Sequence, residues 1–345
     1  MPDSQPDGEE NKTPLLPPKA GRKLAIFMVP LLCVAAAVAG YGHYTDPGPL
    51  PEAKAFVIPH GNNATVTKAL QADGILSPTW ASGAFFRISA LLTHRDGQIH
   101  ASEFQFPSRV SVAHVLEILR HGKPVSHPLT VPEGLTAKKI EDIIRKAPVL
   151  TGDVPEIPEG TVLPQTIAYV WGTPRQAIVD RLRRMMDKQL QASWEKRDVE
   201  ALDGLIQSPQ ELLTLASLIE RETGVPSERP MVARVFLNRL KLGMRLQTDP
   251  SVIYGLSDGL GTLDRPLLHE DLQTPGPYNT YLEAGLPPGP ICSPGITSLE
   301  AAAHPAESKA LYFVATGEGG HNFAETLQEQ DQNIRAYRAK TASPE

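Results

Sequence analysis

The longest apolar stretch of the chain runs from Leu24 to Tyr44 and contains no formally charged residue. A helix needs about 20 such residues to cross the hydrocarbon core of a bilayer, so this stretch predicts a transmembrane helix. Four Lys or Arg residues precede it and none follows until Lys54, which predicts a cytoplasmic N-terminus. A cleaved signal peptide is the alternative, but the 23 residues before the stretch exceed an ordinary n-region.

After the apolar stretch, short alternating segments are interleaved with segments of helical period. The patterns predict strands at 56–58, 103–106 and 129–131, and helices at 65–72, 79–92, 111–121, 136–144 and 177–196. The last of these helices has apolar positions spaced to bury one face. The mixture indicates an α+β fold.

These patterns divide the chain into six parts. The polar, Pro-rich N-terminus is too poor in apolar residues to fold and is expected to be disordered, and a short Pro-rich linker follows the apolar stretch. The predicted parts are a disordered cytoplasmic tail (1–23), a transmembrane helix (24–44), a linker (45–53), a small LysM-like β/α module (54–135), a helical connecting region (136–204) and a mixed α+β C-terminal domain (205–345).

Composition excludes some classes of protein. The net charge is −6 with Lys and Arg scattered along the chain, so there is no basic stripe of the kind that nucleic acid requires. The two cysteines are Cys33, inside the apolar stretch, and Cys292, which does not suit a disulfide framework.

The segment around residues 208–226 is a well-signalled helix with two glutamates at its end. Ser208 and Glu211 form a capping box with Pro at the first helical position, and Gly224 marks the stop. Glu220 and Glu222 therefore lie in the last turn, where the helix dipole disfavours a carboxylate and raises its pKa. A raised pKa suits a general acid. Periodicity places the two glutamates on opposite flanks of the apolar stripe and does not choose between them.

Several short segments of the C-terminal domain, taken together, resemble the endolytic murein transglycosylase family, the YceG-like proteins. The resemblance is dense from about 215 to 323 and extends to the membrane span and the LysM-like module by layout alone. Its main segments are 216–223 (ASLIERET), 235–240 (VFLNRL), 243–250 (GMRLQTDP), 277–281 (PYNTY), 285–291 (GLPPGPI) and 319–323 (GGHNF).

The resemblance implies an activity and a catalytic residue. In the family's ExET motif the second glutamate is catalytic, which corresponds to Glu222 here. Residues 205–345 would then be a transglycosylase domain that needs no cofactor or metal and cleaves the MurNAc-GlcNAc β-1,4 bond of nascent peptidoglycan strands. The product would carry a 1,6-anhydroMurNAc end, and the cut would terminate strand elongation. The enzyme would be a single-pass inner-membrane protein with a periplasmic catalytic domain, working beside penicillin-binding synthases.

Amide, carboxyl and phenol side chains in the same domain suit sugar hydroxyls and acetamides, and aromatic rings stack on sugar faces. Turn formation and packing around the neighbouring prolines are equally good explanations of these residues. The substrate-binding candidates are Gln247, Thr248, Asp249, Tyr254, Tyr278, Asn279 and Tyr281.

Other chemistries find little support. There is no HExxH motif, and His304 and His321 stand in separate predicted loops. There is no G-x-S-x-G elbow, and residues 317–320 resemble a hairpin turn. Gln330 stands where family members often have a histidine, so no role is assigned to it.

Two further hypotheses remain beside the transglycosylase. A non-catalytic scaffold would bind peptidoglycan through the LysM-like module and recruit cell-wall synthases. A muramidase would use water and would need a second positioned carboxylate such as Asp249.

Overall fold

The computed structural model describes residues 19–341, with side chains from Met28 onward. The predicted tail up to position 18 lies outside the described residues. Helix α1, Lys19–Thr45, contains the whole charge-free stretch. Its segment Met28–Thr45 is long and apolar enough to cross a membrane, and none of it is buried within the protein. The predicted N-terminal apolar helix is confirmed.

The chain divides into two compact units at the bond between Val125 and Ser126. The first unit continues after α1 with two strands and three helices, and the strands pair antiparallel with Phe56 opposite Phe104. Its elements are β1 (Lys54–Ile58), α2 (Asn63–Ala72), α3 (Trp80–Leu92), β2 (Ser102–Phe106) and α4 (Val112–His121). The predicted strands and helices of this part are confirmed, whereas its likeness to LysM modules stays a prediction.

Local capping explains where these helices begin. The side chains of Asn62, Thr79 and Ser111 each accept a hydrogen bond from a backbone N–H in the first turn of the helix that follows. Such caps satisfy donors that the helix itself leaves free. The apolar faces of the helices then close over the inner face of the β1–β2 pair, where Phe104 and Phe106 are buried.

The second unit begins with a strand and helix, followed by a strand that the sequence patterns missed. Its elements are β3 (Ser126–Thr130), α5 (Ala137–Lys146), β4 (Thr166–Val170), α6 (Arg175–Glu195), α7 (Val199–Leu202), α8 (Pro209–Glu222), α9 (Arg229–Lys241), α10 (Asp249–Leu256), α11 (Ile296–Ala303), β5 (Tyr312–Ala315), β6 (His321–Ala324) and α12 (Leu327–Thr341).

Strand β4 lies within residues 136–204, which the sequence predicts to be a helical connecting region, and it corrects that prediction for residues 166–170. It pairs antiparallel with β3, and Leu129 lies opposite Ile167. Ile167 and Tyr169 are buried while Thr166, Ala168 and Val170 are exposed, which is strand alternation over five residues. So short a run is hard to distinguish from a loop by pattern alone. With α5 and part of α6, the pair encloses a core of its own.

Helix α8 lies at the centre of the second unit. Ser208 caps it by accepting from the backbone N–H of Glu211 at 3.2 Å, as predicted. The Glu211 carboxylate instead accepts from the backbone N–H of Gln207 at 2.6 Å. Every residue from Leu212 to Ile219 is buried, because α6, α9 and α11 pack around the helix. The core therefore fixes the place where α8 ends at Glu222.

The strands β5 and β6 form the predicted hairpin. Val314 lies opposite Asn322, and the backbone N–H of Thr316 donates to the carbonyl of Gly320 at 2.7 Å. This hairpin presents His321 at its turn end.

Candidate active site

The structure gives the two glutamates at the end of α8 different surroundings. Glu220 is 5% exposed and accepts hydrogen bonds on both carboxylate oxygens. Arg229 donates to Oε1 at 3.0 Å. The backbone N–H of Gly295 and the hydroxyl of Ser298 donate to Oε2 at 2.9 and 2.7 Å. Glu220 thus joins the end of α8 to α9 and to the start of α11 through hydrogen bonds on both oxygens, which is a structural role.

Glu222, two residues on, lacks such partners. Its Oε1 atom is buried and has no hydrogen-bond partner among the described residues, and the same holds for the buried hydroxyl oxygen of Thr248. Buried polar atoms in folded proteins are nearly always paired, so such exceptions call for an explanation. The unpaired atoms of Glu222 and Thr248 lie close together, so an oxygen atom of a ligand can form hydrogen bonds there.

The surroundings of Glu222 raise its pKa to about 7. Burial is the largest cause, and the charge of Asp249 adds to it. The Thr248 hydroxyl and the positive charges of His321 and Arg239 act in the opposite direction. The rise predicted from the sequence is found, but its main cause is burial of the carboxyl rather than the helix dipole. Near neutral pH this group can both donate and accept a proton.

The segment Gln247–Asp249 is held against Glu222 by buried hydroxyl groups. Gln247 has a positive φ of 54°, a conformation uncommon for a residue with a side chain. The backbone N–H of Thr248 donates to the Thr280 hydroxyl at 3.0 Å, and Ser251 donates to the carbonyl of Thr248 at 2.9 Å. These bonds fix the backbone of Thr248 while leaving its own hydroxyl free for a ligand.

Two further side chains, Tyr281 and Arg239, hold the segment Gln247–Asp249 in place. The Tyr281 hydroxyl donates to the Asp249 carboxylate at 2.6 Å, and burial followed by this bond raises the pKa of Tyr281. Arg239 is buried and donates to the carbonyls of Leu246 and Leu311 at 2.8 and 2.7 Å. It therefore ties the segment before Thr248 to the lead-in of β5.

A carboxylate and a histidine that sequence reasoning did not pair contact each other near Glu222. The Glu228 carboxylate accepts from the backbone N–H of His321 and contacts its Nδ1, both at 2.8 Å. The Thr223 hydroxyl also donates to Glu228 at 3.0 Å. Burial works to raise the pKa of Glu228, but these hydrogen bonds outweigh it and the net pKa is lowered.

The pairing sets the orientation of the imidazole. Because the Glu228 carboxylate can only accept, Nδ1 of His321 carries a proton and donates it to this hydrogen bond. Glu228 and His321 are 93 positions apart. In the sequence, the only signal for a fixed position of His321 was the predicted hairpin turn that precedes it. No sequence pattern indicated that Glu228 is its partner.

The remaining predicted residues lie elsewhere. Tyr254 and Tyr278 have ring centroids 4.8 Å apart and line a cavity that does not include Glu222. The amide of Asn279 donates to the carbonyls of Leu272 and Thr274, and its oxygen accepts from the backbone N–H of Tyr281. Asn279 therefore shapes the loop that presents Tyr278 and Tyr281.

Gln330 occupies a structural position on α12. Its amide donates to the carbonyl of Phe313 at 3.1 Å, which secures the helix to β5.

A carboxyl group whose pKa is raised to about 7, with a hydroxyl group beside it, is suited to acid and base chemistry. Comparisons with known proteins agree with this class. The YceG-like family model matches residues 56–336, and the chain belongs to the YceG-like family.

Named relatives share about half of the chain. It is 39% identical over 179 residues to the endolytic murein transglycosylase of Bacillus subtilis (strain 168), which covers 52% of this chain and 48% of the relative. The endolytic murein transglycosylase of Streptococcus pneumoniae serotype 2 (strain D39) is 31% identical over 180 residues, 51% of this chain and 31% of the relative. The chain thus spans half or less of the length of these curated relatives. A crystal structure of a YceG-like protein from Listeria monocytogenes is 27% identical, with a TM-score of 0.49 over 82% of this chain and 99% of that one.

Proposed function

We propose that the chain is a membrane-anchored endolytic lytic transglycosylase that cleaves the MurNAc-GlcNAc β-1,4 bond of peptidoglycan strands. Family membership and the names of its relatives support the substrate class. The observation that carries the catalytic assignment is the buried, unpartnered Oε1 of Glu222 on a carboxyl whose pKa is raised to about 7.

Glu222 acts first as an acid and then as a base. In the protonated form it gives its proton to the glycosidic oxygen as the bond from that oxygen to C1 of MurNAc breaks. The resulting carboxylate accepts the proton of the MurNAc C6 hydroxyl as the C6 oxygen bonds to C1. Glu222 is therefore protonated again at the end of the reaction, and no water is consumed. Because the nucleophile belongs to the sugar itself, proximity supplies much of the rate advantage.

The neighbouring residues position the sugar, stabilise the transition state and adjust the pKa of Glu222. The free hydroxyl of Thr248 is placed to bond a sugar oxygen beside Glu222. Asp249, held by Tyr281, supplies negative charge that favours the oxocarbenium-like transition state. His321, oriented by Glu228, is close enough for its charge to lower the pKa of Glu222. We regard Glu228 and His321 as positioning residues.

The membrane helix sets the location of the reaction. With the N-terminus in the cytoplasm, as the distribution of Lys and Arg predicts, both folded units lie in the periplasm. The predicted linker of residues 45–53 is short and Pro-rich, which keeps the chain near the outer face of the inner membrane. The LysM-like module would hold glycan there, beside the penicillin-binding synthases that extrude nascent strands.

Product analysis tests the proposal and separates it from its alternatives. The full chain in detergent micelles is incubated with uncrosslinked glycan strands, and the products are identified by mass spectrometry. We expect 1,6-anhydroMurNAc ends from the wild type and from an exposed-surface control, Glu300→Gln, and none from Glu222→Gln. Hydrated reducing ends would instead indicate a muramidase that uses Asp249 as its second carboxylate. Glycan binding without any cleavage would indicate a scaffold.

A further inference from the structure

A cavity of about 680 Å³ lies in the second unit, away from Glu222. Its walls are the start of α5, the loop at 156–159, the second half of α10 and the loop at 274–279. This volume is within the range of sites that hold small ligands. The cavity combines two tyrosine rings, Tyr254 and Tyr278, with a carboxyl group, Glu159, and these three residues define what we call the Glu159 cavity.

Glu159 is held in place by the backbone. One of its oxygens accepts from the N–H groups of Ala137 and Gly160 at 2.9 and 3.3 Å, and the nearby Tyr254 hydroxyl lowers the pKa of the same carboxyl group. Burial nevertheless raises the pKa of Glu159 to about 7, because these hydrogen bonds only partly offset it. Buried carboxylates are usually paired with a cation, and Glu159 has no salt bridge within the described part of the chain.

The charges around the cavity leave an excess of negative groups. Four carboxyl side chains line it, against one lysine, Lys138. The ammonium of Lys138 is already bound to Asp258, at 2.9 Å from its carboxylate and also through its carbonyl. Lys138 therefore does not neutralise Glu159, and a bound cation would. Tyrosine rings add to this preference, since a cation over an aromatic face is attracted by it.

Helix α10 relates this cavity to the proposed reaction centre. Asp249, at its first position, raises the pKa of Glu222 by its charge, and Tyr254 lies on the cavity wall. Five residues of helix correspond to about 7.5 Å along the axis. A branched substrate bound at Glu222 could therefore reach the cavity with a side branch.

We propose that the Glu159 cavity binds the side-chain ammonium of the peptide stem on an uncrosslinked glycan strand. The inference rests on the proposed function, since the ligand is a branch of the same substrate. Uncrosslinked stems carry a free amine on their diamino acid, whereas crosslinking converts that amine to an amide. The cavity thus gives the enzyme a means of preferring strands that have not yet been crosslinked.

The test measures peptide binding separately from cleavage. The full chain in detergent micelles is titrated calorimetrically with the stem peptide L-Ala-γ-D-Glu-L-Lys and with the same peptide acetylated at the lysine side chain. We expect acetylation to weaken binding about tenfold or more, as loss of a charge-assisted hydrogen bond does. Glu159→Gln, which keeps the shape and the backbone hydrogen bonds, should abolish this difference, while Glu300→Gln should retain it.

Equal binding of the two peptides by the wild type would overturn the proposal without the need for any variant. Loss of binding to peptide-free glycan in Glu159→Gln, with no effect on the peptides, would also overturn it and would make the cavity a sugar site. The two proposals fail separately, because Glu222→Gln should retain peptide binding. If anhydro products form but the two peptides bind equally well, only the cavity proposal is refuted. If the peptides bind differently but no strand is cleaved, only the proposed activity is refuted.

Discussion

Replacing Glu222 by glutamine should stabilise the folded protein at pH 8 even though it removes the proposed acid. Burial, the largest cause, raises the pKa of this carboxyl from 4.5 to about 7. Above pH 7 the folded chain must hold a buried carboxylate whose Oε1 has no hydrogen-bond partner in the part of the chain that the structure describes, whereas the unfolded chain exposes the same group to water. Glutamine has nearly the same shape and carries no charge at any pH.

The direction and size follow from the two pKa values. Between pH 4.5 and about 7 the folded state binds more protons than the unfolded state, so stability falls as the pH rises through this range. The contribution of the neutral carboxyl is fully present below pH 4.5 and is lost once the pH passes about 7. A pKa difference of this size corresponds to about 3 kcal/mol at pH 8. The variant should approach that gain at pH 8 and show little gain at pH 5.

The assay is urea unfolding of the full chain in detergent micelles, followed by tryptophan fluorescence at pH 5 and pH 8. The quantity compared is the difference in free energy of unfolding between variant and wild type. Glu159, whose pKa is also raised to about 7, is present in both proteins and cancels. If Glu222→Gln proves less stable than the wild type at pH 8, the reasoning that burial rather than bonding governs Glu222 is refuted.

Three further predictions concern the neighbours of Glu222. Glu220→Gln should lose about 3 kcal/mol at both pH values in the same unfolding assay, because it removes the nearer carboxylate of the buried Arg229 and leaves only Glu133 among the described residues, at 3.8 Å; its turnover should fall less than that of Glu222→Gln. Thr248→Val should lower kcat at pH 7 about tenfold. It should also move the alkaline limb of the pH-rate profile upward, because the nearby hydroxyl that is lost lowers the pKa of Glu222; an unmoved limb would contradict this effect on the pKa. His321→Gln should move the same limb upward by removing a positive charge, whereas Glu300→Gln should leave it in place.

The sequence predicted elements whose signals are local. The capping box at Ser208 predicted the start of α8, and the structure has its hydrogen bond to Glu211. The membrane helix and the hairpin turn could likewise be predicted, because each depends on residues that are adjacent in the sequence. Strand β4 was missed because its five residues are explained only by their pairing with β3, about 36 positions earlier, as in the contact of Thr130 with Thr166.

The sequence could not distinguish the two glutamates, because their difference lies in distant partners. Two of the groups that hold Glu220, Gly295 and Ser298, are 75 and 78 positions away. Helical periodicity reports only which side of a helix a residue faces. It cannot report whether the facing surface offers donors, as for Glu220, or leaves an oxygen unpaired, as for Glu222.

The charged groups of the second unit point to where ligands bind. Where a buried charge serves the fold, it is paired: Glu220 with Arg229, and Asp271 with Arg265, which holds the pKa of Asp271 near 2. Glu222 and Glu159 differ from these, since burial raises the pKa of each to about 7 and neither has a salt bridge in the described chain. A fold gains no stability from a carboxyl buried in this way. Asp249, whose charge raises the pKa of Glu222, and Tyr254, whose hydroxyl lowers the pKa of Glu159, are about 7.5 Å apart along the axis of α10. One branched ligand that engages both carboxyl groups therefore explains them better than two independent packing defects.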